Sequence, residues 1–281
     1  MKYLEHIIKI KTMNKPAYFY YILKRHRGFI IFSMIFTALM QFLLVKVFTG
    51  VDTKPFLETV MNIMPEQFKT MMGNQFFSTL TIDGAAAFGF NHPIVLAIFI
   101  ILVISVSASN IAGEVEKGTM ELLLSFPVKR TSLITKLWAI GIFIVFMVIL
   151  SAILGSVFSV AIYDNLSIKF IIKILKIGLN LWLLIVLIFS FSLMISAFER
   201  EGSKVVAKTA VVVMTFYFLD LLSTMWKAVS FTKPFNIFTY YQPQKLISGE
   251  RSLLQNIPVL LILIVVFFLI ARWQFNRRDI P

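Results

Sequence analysis

Residues 93–112 read PIVLAIFIILVISVSASNIA, with no charge anywhere in the run. About 18 or more uncharged apolar residues in succession mark a helix able to cross a bilayer. Comparable runs occupy 28–48, 133–162, 177–198, 205–225 and 257–273. The expected fold class is therefore an all-α integral membrane protein with six transmembrane helices. The run at 133–162 is long enough to tilt or to extend past the hydrocarbon. The first run is too long for a signal-peptide core and has no small-residue cleavage site, so it is read as an uncleaved span. Composition agrees. The chain is 58% hydrophobic and 15% charged, against about 45–50% and about 25% for soluble domains. Cysteine is absent, which removes disulfides and thiolate metal sites from consideration. His6, His26 and His92 are scattered, which argues against a metal centre.

The net charge of +13 would suggest nucleic acid on a soluble protein. On a membrane protein it bears on orientation and on attraction to anionic lipid headgroups, so membrane lipid is expected as a partner and nucleic acid is not. Six spans put both termini on one side. That side would hold 17 of the 27 Lys and Arg, including seven within residues 1–27. Because Lys and Arg favour cytoplasmic loops, both termini are expected to be cytosolic. Residues 1–27, with the aromatic cluster Tyr18 to Tyr21 among lysines and arginines, read as a cytosolic interfacial helix lying on the membrane. On the minority side, Lys169, Lys173 and Lys176 are expected to snorkel to outer headgroups. The abundance of Lys, Ile and Phe hints at a microbial source, hence a prokaryotic plasma membrane.

One short segment departs from the apolar pattern. Residues 113–130, GEVEKGTMELLLSFPVKR, place Glu114, Glu116, Lys117, Glu121, Lys129 and Arg130 between two spans. Gly118 weakens helix there by about 1 kcal/mol relative to Ala. Thr119 can cap a new helix, with Glu121 in its favoured first turn, and Pro127 disfavours helix at Phe126. The remainder, about residues 120–125, is a helix of roughly 10 Å carrying Leu122, Leu123 and Leu124. So short a helix is marginal alone and needs a surface to pack on. That surface is either the inner membrane face or a cytosolic protein. The carboxylates of Glu114 and Glu116 favour a protein, since anionic headgroups repel them.

The pattern E-x-E-x-G-T-x-E-L-L-L-S-x-P-V-x-R, here Glu114, Glu116, Gly118, Thr119, Glu121, Leu122, Leu123, Leu124, Ser125, Pro127, Val128 and Arg130, resembles the ABC exporter permeases of the type-2 membrane-subunit family. The segments MPEQFKTMMG (64–73) and FNRRDI (275–280) are similar to patterns of the same family. The resemblance extends over essentially all of residues 1–281 as a single transmembrane permease domain. It implies a short cytosolic coupling helix between helices 2 and 3, seated in a groove of a separate ABC ATPase. The contact residues implied are Glu114, Glu116, Gly118, Thr119, Glu121, Leu122, Leu123, Ser125, Pro127 and Arg130. It further implies two ATPase copies binding ATP and Mg, and a second permease copy or a homologous permease beside this one. No cofactor is expected in this chain: a phosphate-cradling G-x-x-x-x-G-K-[ST] loop is missing, and Gly202-Ser203-Lys204 lacks the leading glycine.

Other polar groups read as structural. Asp220 is expected to be a solvated interfacial carboxylate near the outer end of its span, and Lys208 to snorkel. Asn180 and Trp182 read as packing groups, and Glu199 to Lys204 as a tight solvated turn. DGAAAFGFNHP (83–93) reads as loop. Residues 231–250 read as an aromatic belt, where the resemblance instead suggests short outer helices dipping back before the last span. Two other functions are open to a chain of this kind. A secondary transporter would show ionisable groups or broken helices at mid-membrane in paired halves. A non-transporting scaffold or sensor that engages an ATPase shares every feature read so far.

Overall fold

The structure, a computed structural model, describes residues 15–49, 63, 81–125 and 129–278. Several expectations fall outside those residues: the first half of the interfacial segment, the segment 64–73, Pro127 and the end of FNRRDI. Every regular element among the described residues is helical. Six helical stretches are long and apolar enough to cross a membrane: Tyr18–Phe48, Pro93–Glu116, Arg130–Tyr163, Ile168–Phe198, Gly202–Met225 and Leu253–Arg277. They contain all six expected runs.

The first helix, α1 (Lys15–Thr49), passes Gly28 without a break. Residues 15–27 therefore do not form a separate element; they extend the span. The cause is a buried stripe at Tyr18, Ile22, His26, Ile30, Ser33, Thr37, Gln41 and Val45, whose spacing of three or four residues keeps one face turned inward along the whole helix. At 35 residues and 1.5 Å per residue, α1 is about 52 Å long, well beyond a hydrocarbon core of about 30 Å.

A second helix, α2 (Ile82–Asn91), occupies the stretch expected to be loop. Thr81 caps it, its hydroxyl accepting from the Gly84 amide at 3.0 Å, and Gly84, Ala85, Ala86, Ala87, Gly89 and Phe90 are buried. The local signals of glycine and asparagine favour a turn, but the small side chains let this helix sit against α1, and tertiary packing decides. Pro93 opens α3 (Pro93–Asn110), whose first turn is capped by the His92 ring. Next come α4 (Ala112–Glu116), α5 (Thr119–Leu124) and α6 (Arg130–Tyr163). After Ser167, which caps its start, α7 (Ile168–Phe198) is the most buried of the spans. It is followed by α8 (Gly202–Met225). Two 3₁₀ segments (Lys227–Phe235 and Ile237–Tyr240), α9 (Pro243–Ser248) and α10 (Leu253–Arg277) complete the chain.

The long helices α1 and α6 run parallel, as pairs in increasing order on both show: Phe19 with Phe143, Thr37 with Ser151, Gln41 with Ser156, Phe42 with Phe158. A Cβ on Gly155 would stand 2.2 Å from the Ala38 carbonyl oxygen, so the two backbones meet there in a way only glycine permits. A second polar seam joins α3, α7 and α8. Ser107 and Ser192 share a hydrogen bond, Ser196 Oγ donates to the Ser107 carbonyl at 2.9 Å, and Thr209 reaches Ser192. Hydroxyls that bond across or along helices in this way satisfy groups that hydrocarbon cannot.

At the end of the bundle away from α5, the segment before α10 folds back as short helices rather than forming a simple belt. Phe238, Tyr241 and Asn236 are buried. Tyr241 donates to the Phe90 carbonyl at 2.9 Å, Asn180 to the Tyr240 carbonyl at 3.1 Å and Asn236 to the Phe216 carbonyl at 2.7 Å. Burial pushes the Tyr241 hydroxyl well above the ordinary tyrosine range, so it is held as a neutral donor. Asp220 is half-buried and accepts from Thr239 Oγ1 at 3.3 Å; it is not a freely solvated group. Lys173 pairs with Asp83 and Lys208 with Glu199, so neither simply snorkels. The exposed Trp226, Phe231 and Phe235 are the part of this region that suits an interfacial belt.

Candidate functional site

The charged segment folds as two helical turns joined by a left-handed glycine. Gly118 has φ 68°, ψ 4° and links α4 to α5. A residue with a Cβ is disfavoured there. Thr119 does not cap α5 as expected: Gly118 occupies that position with no side-chain bond. The Thr119 hydroxyl turns back, donating to the Glu114 backbone carbonyl at 3.1 Å and to the Glu114 carboxylate.

Glu114 is only 8% exposed. Its carboxylate takes an ion pair from Arg25 on α1. Around this pair lie Asn110 and His26, both buried. Asn110 Nδ2 donates to the Val106 carbonyl at 2.7 Å and reaches His26 Nε2 at 3.1 Å. An amide nitrogen can only donate, so that ring nitrogen is an acceptor and the imidazole is neutral. The expected partner contact at Glu114 is thus an internal one: the carboxylate fastens α4 and α5 to the first span. Sequence reasoning did not single out Arg25, His26 or Asn110 as its partners; they stand 89, 88 and 4 positions away, and only the Asn110 spacing is a helical one.

Glu116 reaches in another direction. Its Oε2 accepts from the Gly202 amide at 2.9 Å, at the start of α8, where Glu201 supplies no side-chain cap. A carboxylate at a helix N-terminus is favoured by the exposed N–H groups and the dipole. The turn at 199–204 is therefore anchored to the charged segment.

Met120, fully buried, holds α5 to the bundle core, with Leu123 and Leu124 half-buried beside it. On the other side Lys117, Glu121, Leu122 and Ser125 are exposed, Leu122 by 49%. The spacing of Glu121, Leu122 and Ser125 places these three on one face of α5, while Lys117 lies on the other side of the Gly118 bend. The need of a short helix for a packing surface is met by its own chain on one side, and the opposite side presents the apolar Leu122 beside the carboxylate of Glu121 and the hydroxyl of Ser125.

Arg130 belongs to a third tie. Its guanidinium donates to the Arg278 carbonyl, and Arg278 in turn donates to the Ala197 carbonyl at 3.0 Å, at the C-terminus of α7. Burial and the nearby Arg200 charge lower the Arg278 pKa from the ordinary arginine value, without bringing it near neutrality. Of the expected contact residues, Glu121, Leu122 and Ser125 share the open face. Glu114, Glu116, Thr119 and Arg130 bind the segment to the bundle, Leu123 lies at the edge, Gly118 forms the bend, and Pro127 falls outside the described residues.

The sequence model of the family described as ABC-2 family transporter protein matches residues 22–280, nearly the whole chain and all six spans. The chain belongs to the ABC-2 transporter family. No match is found among curated proteins. As an ABC-2 membrane domain, this multi-pass protein has a permease role in an ABC transporter.

Proposed function

We propose that this permease is the membrane-spanning subunit of an ATP-driven exporter and that α5 is its coupling helix. A separate ABC ATPase, in two copies and carrying ATP and Mg, receives the open face of Glu121, Leu122 and Ser125. A second copy of this chain, or a homologous permease, completes the transport core. The observation that carries the reading is the two-sidedness of α5. One side is buried through Met120 and tied to α1 through Glu114. The other shows the exposed Leu122 beside Glu121 and Ser125, an apolar group with a polar border, as in a small interface centre with a polar rim. A helix lying on anionic headgroups would instead carry basic groups on its open side. In this reading the end of the bundle bearing α5 is cytosolic, in line with the excess of Lys and Arg there, and the membrane is a prokaryotic plasma membrane.

Closure of the ATPases on ATP changes the permease only through a difference in affinity for two permease states, and α5 is the element that would register it. Glu121→Arg places a cation on the proposed contact face without touching the buried side. Substrate-stimulated ATP hydrolysis of the reconstituted complex is expected to fall by about tenfold or more, because a like-charge or unpaired contact in an interface costs several kcal/mol. Membrane insertion should be unchanged. Normal stimulation in this variant would overturn the assignment.

A further inference from the structure

A cleft of about 370 Å³ opens at the same end of the bundle as α5, lined by Thr131, Ser132, Thr135, Lys136 and Ala139 of α6 and by Arg272 of α10. The α6 residues recur at alternating intervals of one and three and so form one face of its first turns, the positive end of that helix. One lip is fixed against the other slightly deeper in the bundle: the Trp138 ring stacks on Phe268, centroids 4.2 Å apart, while its Nε1 donates to Ser190.

Two features give the cleft a ligand. The first is charge. Its lining carries a lysine and an arginine and no carboxylate. Among the described residues at this end, Arg25, Lys204 and Lys208 have carboxylate partners; Lys136 and Arg272 have no ion pair, like Lys117, Lys129 and Arg200, but these two alone stand together in the lining of a cleft. An ammonium, a guanidinium and neighbouring hydroxyls are the donor set that a phosphate accepts from. The second is what continues below it. On α6, Phe143 and Phe146 follow Ala139 at helical spacing and are 42% and 49% exposed; on α10, Leu269 and Val265 precede Arg272 at helical spacing and are 52% and 49% exposed. Next to Arg272, the exposed Trp273 lies under the Arg277 guanidinium at 4.7 Å, an arrangement suited to headgroup depth. A free phosphate would use the charged mouth alone; a lipid would use both the mouth and the apolar track.

We propose that this cleft binds the phosphate of an anionic phospholipid, its acyl chains lying along the Phe143 and Leu269 faces. Basic pockets between spans are a recurrent means of holding such headgroups. The test uses the full-length permease in detergent with phosphatidylglycerol and phosphatidylcholine of matched chains, with bound lipid counted by native mass spectrometry. Wild type should retain phosphatidylglycerol in preference, and inorganic phosphate should not displace it. Lys136→Gln/Arg272→Gln should lower its retention by about tenfold or more. Lys169→Gln/Lys176→Gln, an equal loss of charge at the other end, should leave it unchanged. An equal fall in both variants would mean general attraction to a basic protein and would overturn the site. Displacement by inorganic phosphate would overturn the lipid. If the cleft variant does not fold, the wild type decides: no preference for phosphatidylglycerol over phosphatidylcholine ends the proposal.

Discussion

At the scale of single residues, the most consequential side chain is Glu114, and its importance lies in facing inward. A buried carboxylate stripped of its partner is strongly destabilising, by about 3–5 kcal/mol. Arg25→Ala should therefore lower the unfolding free energy by that order, measured by titration with a denaturing detergent. The double variant Arg25→Met/Glu114→Met should recover most of the loss, because an apolar pair leaves no stranded charge. Additive effects of the two changes would show that the pair does not interact. None of this was legible in the sequence. A glutamate in a charged stretch reads the same whether it meets solvent or an arginine 89 positions earlier, and in GEVEKGTMELLL it is Glu121, not Glu114, that keeps the open position. Thr119 misled for a related reason: a threonine before a helix usually caps it, but a nearer carboxylate took its hydroxyl.

Among elements, the six spans were readable because an apolar run of sufficient length has few alternatives in a bilayer. The bend before α5 was readable because glycine punctuates structure locally. The small helix α2 was not, since its alanines and glycines carry no period and only the space beside α1 makes them a helix. What holds α5 was equally hidden: Met120 looks interchangeable with the leucines that follow it, yet it alone is fully buried. Met120→Ala should cost about 2–5 kcal/mol at the site and loosen α5 from the bundle, giving faster amide exchange over 119–124 while the exchange of α7 stays slow. Unchanged exchange there would remove Met120 as the anchor.

For the molecule as a whole, the long parallel pair of α1 and α6 sets the architecture. Their closest approach at Gly155 leaves no room for a side chain. Gly155→Leu should separate the two helices, displacing the hydroxyl contacts of Ser151 and Ser156 with α1. The measurable outcome is loss of the folded, monodisperse protein on extraction, whereas Ala161→Leu at an exposed position of the same helix should be tolerated. Equal behaviour of the two would mean that the close approach carries no weight.

The unbroken course of α1 has a mechanical consequence. A hinge at Gly28 would let the charged end swivel while the transmembrane part stayed still; a single rod cannot do this. Glu114 grips it at Arg25, near one tip, and the other tip at Thr49 is about 36 Å away by helix rise. Tilting such a lever by about five degrees about the grip sweeps its distant tip through about 3 Å, so a nudge too small to notice at α5 becomes a displacement the width of a water molecule on the opposite side of the bilayer.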